Sequence, residues 1–372
     1  MRVVITTTLN NNLFHAKLTP LVRARPDLEV LVVTDREGPP ITGVRWIWPQ
    51  GWLRHLGELG ARLALLVATI AHPRTRLVMA YGVIPHGLYA VWLARLRNVP
   101  VYLHFIGGPA EIRFADDVRV LENRIVRRSR HPHFWERLAR GAARRADHIF
   151  VPGAATRAFL LGEGFAAETV SILHSTIDPE RYFQATAARD IDVLISAQLC
   201  ARKRPLFTLR VLALIRARMP AVRFCWLGDG IMHDEFAAGL RDLDLRDVID
   251  WRATDQVGQF YRRAKIFLLC SINEGLSLAC LEAMGCGVVP VVSDCGDMRD
   301  AVIAGTTGYL LDPDADEAQF AEAIIALLAD PQRTAVFSTA AICLAESAHC
   351  FAVAEGRWRE ILATALPPRT NA

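Results

Sequence analysis

Two glutamates, Glu274 and Glu282, are separated by seven residues in a segment that follows the apolar run 266–270. A glycine-containing loop leads from that run into a helix predicted to begin near Leu276, and the first turn of a helix carries free N–H groups that bind anions. Glu274 precedes this helix and can reach the mouth of the loop. Glu282 lies inside it among apolar residues, where a carboxylate needs polar partners. The hydroxyls of a nucleotide sugar would supply them; the alternative is a surface glutamate paired with an arginine.

Elements of a parallel α/β fold surround these residues. Short β-branched runs alternate with helix-like stretches, an order typical of parallel sheets with crossover helices. The sequence predicts two Rossmann-like domains, an acceptor-binding one over 1–184 and a donor-binding one over 185–351, and a helix over 352–372 could join the first. Ligands of such sheets bind at the carboxyl ends of the strands. The predicted strands are 2–8, 29–34, 76–80, 100–106, 148–152, 191–196, 222–227, 266–270 and 288–293.

Composition places the chain among ordinary globular proteins. Of its 372 residues, 52% are apolar and 22% charged, and 43 cationic residues, only three of them lysines, stand against 39 acidic ones. That balance excludes collagenous and disordered classes. The eight cysteines all lie between Cys200 and Cys350 without paired or zinc-like spacing, so neither a disulfide scaffold nor a zinc module is expected.

The start of the chain reads as a strand rather than as a signal peptide. The longest uncharged apolar run, 63–71, is far shorter than the roughly 20 residues that span a bilayer. The sequence therefore predicts a cytoplasmic protein with reduced thiols, which could also lie on the inner face of the cytoplasmic membrane.

A wider set of motifs surrounds the two glutamates. They are followed by an Ala-Met-x-x-Gly run at 283–287 and a Pro-Val-Val strand at 290–292. Further motifs are Leu-Gly-Asp-Gly at 227–230, the loop 293–300 and the stretch 305–311. With these residues the chain, from about 190 to 330, resembles the family 4 retaining glycosyltransferases. The resemblance implies a GT-B fold, in which two Rossmann-like domains flank a cleft, and a retaining hexosyltransferase activity.

The resemblance also implies a role for each residue on the donor side. Glu274 would contact the transferred sugar, Glu282 the ribose of the nucleotide, and Lys203 the diphosphate. The remaining residues expected around the donor are Arg204, Gly228, Gly230, Gly275, Leu276 and Ser277.

The implied substrate is a UDP- or GDP-sugar, with no cofactor and no metal. Fixed cations and a helix N-terminus can stabilise the negative charge that develops on the leaving diphosphate. The arginine that accompanies the lysine in the family falls on Gln198 here, so Arg202 or Arg204 could supply the second charge. The acceptor would attack from the face of the leaving group, and no enzymic nucleophile is needed.

The first half of the chain offers fewer motifs. Gly107, Gly108 and Glu111 follow a predicted strand and are expected on the acceptor side. His104 stands two positions before the place where the family often has a histidine, and it either lines the reaction centre or is a packed or surface histidine. His86 is a similar but weaker candidate.

A basic stretch marks the same half. Residues 119–145 hold nine arginines, among them Arg119, against Glu122 and Glu136, and Trp46, Trp48 and Trp52 precede them in the sequence. Cations with aromatics suit an anionic bilayer and hence a lipid-linked acceptor in cell-surface polysaccharide or glycolipid synthesis. A solvated basic helix is the alternative. No nucleic-acid-binding fold accompanies the stretch, so nucleic acid is not an expected partner.

Three other functions fit parts of this pattern. A soluble tailoring enzyme that glycosylates a small molecule would share the donor motifs, and a nucleotide-sugar epimerase would share the architecture without needing an acceptor. A two-lobed periplasmic sugar-binding protein also pairs Rossmann-like lobes, but it should carry an export signal. The leading interpretation is therefore the glycosyltransferase.

Overall fold

The protein is described by a computed structural model over residues 1–114, 123–186 and 188–366. The chain divides into two compact units, Met1–Ser175 with Phe351–Ala372 and Thr176–Cys350. Each unit is a parallel α/β domain, which confirms the predicted fold class.

The division between the units lies earlier in the chain than the expected boundary at 184/185. The Ile177 amide donates to the His349 carbonyl at 2.7 Å, and Ile177 pairs with Cys350 as an isolated parallel bridge. Because the chain is already hydrogen-bonded to the second unit at Ile177, residues 176–184 belong to that unit. At the other end, the chain returns to the first unit at Phe351.

The first unit is built on a seven-stranded parallel sheet with the order β3-β2-β1-β4-β5-β6-β7. Its strands are β1 (Arg2–Thr6), β2 (Glu29–Val33), β3 (Val44–Ile47), β4 (Thr75–Tyr81), β5 (Val101–His104), β6 (His148–Val151) and β7 (Val170–Ile172). Its helices, numbered in chain order, are α1 (Asn11–Ala24), α2 (Gly57–Ile70), α3 (Leu88–Leu96), α4 (Arg124–Arg127), α5 (Pro132–Ala143), α6 (Ala154–Gly162) and α13 (Phe351–Ala365).

Helices cover both faces of this sheet. Phe14 and Leu18 of α1 pack with Trp358 of α13 on one face, while Leu66 of α2 and Ala90 of α3 belong to the core on the other. Strands buried on both faces read as continuous apolar runs instead of alternating ones. The central strands were predictable from the sequence for that reason.

The second unit is built on a six-stranded parallel sheet with the order β10-β9-β8-β11-β12-β13. Its strands are β8 (Ile191–Ser196), β9 (Phe224–Leu227), β10 (Ile249–Arg252), β11 (Ala264–Leu269), β12 (Val289–Ser293) and β13 (Tyr309–Leu311). Its helices are α7 (Pro205–Arg218), α8 (His233–Asp242), α9 (Gly258–Tyr261), α10 (Leu278–Gly285), α11 (Glu317–Ala329) and α12 (Pro331–Ala348).

The four strands that the sequence did not predict are the edge strands β3, β7, β10 and β13. They are three or four residues long and only partly buried. An edge strand packs against one neighbour, so its sequence needs less apolar content and resembles a loop.

Both sheets reverse their strand order at one place, between β1 and β4 in the first unit and between β8 and β11 in the second. Crossover connections leave in opposite directions there, which opens a crevice at the carboxyl ends of the two strands. The residues that follow β1, β4, β8 and β11 are therefore placed to meet ligands.

The described residues include neither a helix that could span a membrane nor a cluster that could bind a metal ion. Within the described parts of the chain, no helix combines the length and the apolar character that a bilayer crossing requires. In the same parts, no group of three or more His, Cys, Asp or Glu residues is placed to hold a metal ion. The eight cysteines are free thiols.

Candidate functional site

The loop after β11 carries Glu274 and leads into α10. The helix begins at Leu278, two residues later than predicted, because Ser277 is its N-cap and the Ser277 side chain accepts a hydrogen bond from the Cys280 amide at 3.4 Å. Gly275 and Leu276 therefore lie in the loop, where both are buried. The anion site expected at the start of this helix stays a prediction.

Glu274 contacts two cations from the loop after β8. Its Oε1 pairs with the Lys203 ammonium, and its Oε2 lies 2.9 Å from Nη1 of Arg202. The side chains of these three residues are 7–18% exposed. Burial raises the pKa of the Glu274 carboxyl, the charges of Lys203 and Arg202 lower it, and the balance holds that pKa at about 2. The carboxylate is therefore charged throughout the physiological range.

The structure distinguishes between the two arginines that could replace the cation missing at Gln198. Arg202 joins Glu274, whereas the Arg204 guanidinium stacks 3.6 Å from the Phe207 ring centroid and donates to the Pro313 carbonyl at 3.0 Å. The Gln198 side chain is exposed. Of these two arginines, Arg202 is the one that shares Glu274 with Lys203.

Two predicted donor-site glycines make a close backbone contact. A Cβ on Gly228 would lie 2.3 Å from the Ala197 carbonyl oxygen, and one on Gly230 would lie 2.4 Å from that of Leu199. Their missing side chains let the turn after β9 pack on the loop after β8. Gly296, which was not among the predicted site residues, does the same for Glu274, since a Cβ there would lie 1.8 Å from the Glu274 carbonyl oxygen.

Glu282 is 3% exposed in the second turn of α10, so the alternative of a surface glutamate is wrong. Burial raises the pKa of its carboxyl to about 7, although the nearby hydroxyl of Tyr182 and the charge of Arg181 lower it. Tyr182 and Arg181 lie just before the predicted domain boundary at 184/185. No local pattern connects that segment with Glu282.

In the first unit, the Glu111 carboxylate is hydrogen-bonded to the loop after β4 and to the loop after β5. Its carboxylate accepts hydrogen bonds from the amides of Val83 at 2.9 Å, Ile106 at 3.1 Å and Gly107 at 3.2 Å. Gly108 follows with a φ of +66°, a conformation that glycine adopts without strain. The three acceptor-side residues thus form one hydrogen-bonded turn after β5, and their contact with an acceptor stays a prediction.

The two candidate histidines of this unit, His104 and His86, lie in different surroundings. His104 is 3% exposed and stacks 4.2 Å from Tyr81 and 5.6 Å from Trp358, measured between ring centroids. It occupies the position of a packed core histidine, the alternative that the sequence left open. His86 follows β4 and contacts the Thr6 hydroxyl through Nδ1 at 3.2 Å and the Thr8 hydroxyl through Nε2 at 3.0 Å.

Part of the chain matches a known protein family. Residues 190–330 match the family of group 1 glycosyl transferases. The match covers the same residues as the resemblance in the sequence and includes Lys203, Glu274 and Glu282.

Solved structures of GT-B glycosyltransferases share the fold of the whole chain. Alr3699/HepE of Anabaena, in complex with UDP-glucose, is 18% identical, with a TM-score of 0.78 over 98% of this chain and 100% of that one. Sucrose-phosphate synthase of Thermosynechococcus elongatus is 13% identical, with a TM-score of 0.74 over 98% and 99% of the two chains. The GT-B fold is thereby confirmed.

Curated relatives match over shorter stretches. The α-maltose-1-phosphate synthase of Mycolicibacterium smegmatis is 36% identical over 92 residues, 23% of this chain and 24% of that protein. The D-inositol 3-phosphate glycosyltransferase of Thermobispora bispora is 30% identical over 152 residues, 38% and 35% of the two chains. The chain thus matches about a quarter to a third of the length of these relatives.

Proposed function

We propose that the chain is a family 4 glycosyltransferase that transfers a sugar from a UDP- or GDP-sugar to an acceptor with retention of anomeric configuration. The observation that carries the proposal is the buried contact of Glu274 with Lys203 and Arg202 at the carboxyl ends of the neighbouring strands β8 and β11. The group 1 domain match supports it. A structural neighbour with the same fold is in complex with UDP-glucose, which supports a nucleotide-sugar donor.

The two cations are suited to a leaving diphosphate. Breaking the bond between the anomeric carbon and the diphosphate puts new negative charge on phosphate oxygens, and fixed charges away from bulk water stabilise it strongly. Glu274 forms an ion pair with both Lys203 and Arg202 in the structure, which keeps the two cations oriented before the donor binds and leaves the cluster with a net positive charge. With the donor bound, the phosphates share these cations, and the Glu274 carboxylate faces the sugar hydroxyls.

Glu282 completes the donor site by accepting hydrogen bonds from the ribose hydroxyls. These donors would replace part of the hydration that burial removes from its carboxylate. The acceptor hydroxyl attacks from the face that the diphosphate leaves, so the configuration is retained without a covalent enzyme intermediate. The negative charge of the leaving diphosphate is then stabilised by Lys203, Arg202 and the start of α10.

Turnover of a panel of UDP- and GDP-sugars, with and without a membrane lipid extract, tests the proposal. We expect one sugar nucleotide to be bound and consumed, and anomeric analysis of the product to give the configuration of the donor. Glu282→Ala should weaken UDP or GDP binding at least about 10-fold through loss of the ribose contact. Absence of any donor binding, or an inverted product, would contradict the proposal.

The proposed acceptor is lipid-linked and reached at an anionic membrane surface, because helices of the first unit expose a large apolar face. Trp52 is 70% exposed, Trp92 54% and Leu96 79%. Exposed apolar clusters of this kind mark interaction sites. The other large apolar side chains exposed on α2, on α5 and on the turn before α2 are Leu56, Leu59, Leu63, Val67 and Phe134.

Cations accompany this apolar face. Arg130 and Arg137 line a cavity of about 530 Å³ with His131 and Phe134 at the start of α5. An anionic headgroup layer attracts such side chains while apolar ones enter the interface. The arginines between residues 123 and 140 that form no ion pair with any described residue are Arg124, Arg127, Arg128, Arg130 and Arg137. Arg119 and Glu122 lie outside the described residues.

Sedimentation with phosphatidylglycerol and phosphatidylcholine vesicles tests this part of the proposal. We expect binding to the anionic vesicles, a loss of at least about 10-fold in Arg130→Glu/Arg137→Glu, and a comparable loss in Leu59→Ser/Leu63→Ser. Val336→Ser, which changes a 65% exposed side chain of the second unit, is the control and should bind like the wild type. Equal sedimentation of all variants would overturn the membrane contact and favour a small-molecule acceptor.

A further inference from the structure

The loop 293–300, one of the sequence motifs, packs against the loop that carries Glu274. The Asp297 amide donates to the Gly275 carbonyl at 3.0 Å. Gly296 lies so close that a Cβ on it would be 1.8 Å from the Glu274 carbonyl oxygen. Because the two backbones are in direct contact, a displacement of one loop would displace the other.

A single turn of 3-10 helix ends the loop 293–300 at Asp300. The ring Nε2 of His349 lies 3.1 Å from the Asp300 carbonyl oxygen. A carbonyl oxygen only accepts hydrogen bonds, so Nε2 carries a proton and donates it. The Asp300 amide in turn donates to the Asp297 carbonyl at 3.0 Å. Hydrogen bonds thus connect the His349 ring, by way of Asp300 and Asp297, to the Gly275 carbonyl.

His349 stands at the end of the second unit, directly after the last residue of α12, and it is fully buried. Its amide donates to the Ala345 carbonyl at 3.0 Å, and its carbonyl accepts from the Ile177 amide at 2.7 Å. Both passages of the chain between the units lie next to this hydrogen bond. The residues around it, 176–177 and 349–350, form the crossing segments.

The crossing segments also contact the far end of α10. Gly285 is the last residue of this helix, and a Cβ on it would lie 2.4 Å from Cδ1 of Ile177. The missing side chain lets Ile177 pack directly on the helix. The two elements next to Glu274, the loop 293–300 and α10, are therefore both held by the crossing segments, one through His349 and the other through Ile177.

Packing alone does not call for a histidine at position 349. A buried imidazole is tolerated when its polar atoms are hydrogen-bonded, and a phenyl ring of similar size would fill the volume without desolvating a polar group. The N–H of His349 instead makes a directional contact with the Asp300 carbonyl, which a phenyl ring cannot make. The histidine therefore fixes the distance between the loop and the crossing segments.

We propose that His349 is a positioning residue for the donor site, because its ring holds the loop 293–300, and through it the backbone of Glu274, against the crossing segments. The inference rests on the proposed function and adds to it a residue outside the donor site on which donor binding depends. Without the Nε2 hydrogen bond, the loop moves more freely and Glu274 orients Lys203 and Arg202 less well. A nucleoside diphosphate then binds more weakly, since part of the preorganisation of its site is lost.

Calorimetric titration of the full chain with UDP and with GDP tests this role. We expect His349→Phe to bind the nucleotide about 5-fold more weakly than the wild type. His349→Gln should bind within about 2-fold of the wild type, because the glutamine amide can donate from the position of the imidazole Nε2. Ser347→Ala is the matched control and should bind like the wild type, since it removes an exposed hydrogen bond of 2.6 Å to the Cys343 carbonyl in the same helix.

Amide hydrogen exchange without ligand separates positioning of the loop from general stability. In His349→Phe, the amides of Asp297 and Asp300 should exchange faster than in the wild type, while those of β8 should be unchanged. His349→Gln should restore the wild-type rates. If His349→Phe does not fold, His349→Asn takes its place, because the shorter amide cannot reach the Asp300 carbonyl.

Three results would overturn the inference. One is equal nucleotide affinity in the wild type and His349→Phe, and another is an equal loss in His349→Phe and His349→Gln, which would assign the effect to packing of the ring. The third is a lower melting temperature of His349→Phe with unchanged exchange of the Asp297 amide. Wild-type protein that binds neither UDP nor GDP would contradict the proposed function instead, and exchange of the Asp297 amide would still decide whether His349 positions the loop.

Discussion

At the scale of single residues, Glu274 and Glu282 show how environment separates two identical carboxyl groups. Both are buried, at 6% and 3% exposure. The charges of Lys203 and Arg202 hold the pKa of Glu274 at about 2, whereas burial without an adjacent ion pair raises that of Glu282 to about 7. One carboxylate is therefore a permanent charge, and the other changes its charge near neutral pH.

Lys203→Arg tests whether the compact ammonium is needed beside Glu274. The Lys203 side chain is only 11% exposed, so the larger, planar guanidinium should displace Glu274 or Arg202 and lower turnover by about 10-fold. Lys265→Arg is the matched control, since Lys265 is 41% exposed and pairs with Asp192 at 2.7 Å. Steady-state kinetics with the identified donor give the answer, and equal turnover in both variants would show that positive charge alone suffices.

Glu282→Gln should remove one source of pH-dependent stability. Because folding raises the pKa of this carboxyl from 4.5 to about 7, its contribution is complete below pH 4.5 and is lost as the pH rises through about 7. At about 1.4 kcal/mol per pKa unit, the lost contribution is about 3 kcal/mol. Urea unfolding of wild type and variant between pH 4.5 and 8 measures it, and parallel curves would refute the raised pKa.

At the scale of elements, the donor site depends on loops that approach each other at backbone distance. The turn with Gly228 and Gly230 contacts the loop after β8, and the Asp297 amide donates to the Gly275 carbonyl at 3.0 Å. Lys203 and Glu274 are 71 positions apart in the chain, yet they meet because β8 and β11 are neighbours in the sheet. The pairing of β8 with β11 thus brings Lys203 and Glu274 together, and the glycines allow the loops to approach each other at backbone distance.

Gly296→Ala should disturb the position of Glu274. Gly296 has a φ of +58°, and a Cβ there would collide with the Glu274 carbonyl, whereas Gly305, at +73°, has open space around it. Both substitutions cost about 1 kcal/mol of backbone strain, but only Gly296→Ala should also weaken UDP-sugar binding, by at least about 10-fold. Urea unfolding and calorimetry separate the two effects, and equal donor affinity in both variants would contradict the close contact.

At the scale of the whole molecule, the last helix belongs to the unit that contains the first strand. Trp358 and Leu362 of α13 are 2% and 0% exposed and pack in the core that β1 and α1 share. An additional ion pair joins Arg23 with Glu355 at 3.9 Å. The first unit is therefore complete only when the chain has passed through the second and returned.

Trp358→Ala should destabilise the first unit by about 3–5 kcal/mol, the usual cost of removing a buried aromatic side chain. Hydrogen exchange should show faster exchange of amides in β1 and β4 and unchanged exchange in β8 and β11, because each unit has its own core. Trp52→Ala, at a 70% exposed position, is the control and should change neither unit. Faster exchange throughout both sheets would contradict independent cores.

The sequence by itself determined the central strands, the parallel α/β class and the pair of glutamates before and within α10. These features are carried by neighbouring residues: continuous apolar runs for strands buried on both faces, and a short loop before a helix for the anion site. The edge strands β3, β7, β10 and β13 were not determined in this way, because half-buried strands lack that local signal.

Only the tertiary structure decided which distant residues meet. It brought Arg202 to Glu274 and Arg204 to Phe207, brought Tyr182 to Glu282 from the neighbourhood of the predicted domain boundary, and placed His104 in a packed layer. The physical reason is that a residue's burial, pKa and partners depend on strand order and sheet register, which join residues that no local pattern connects.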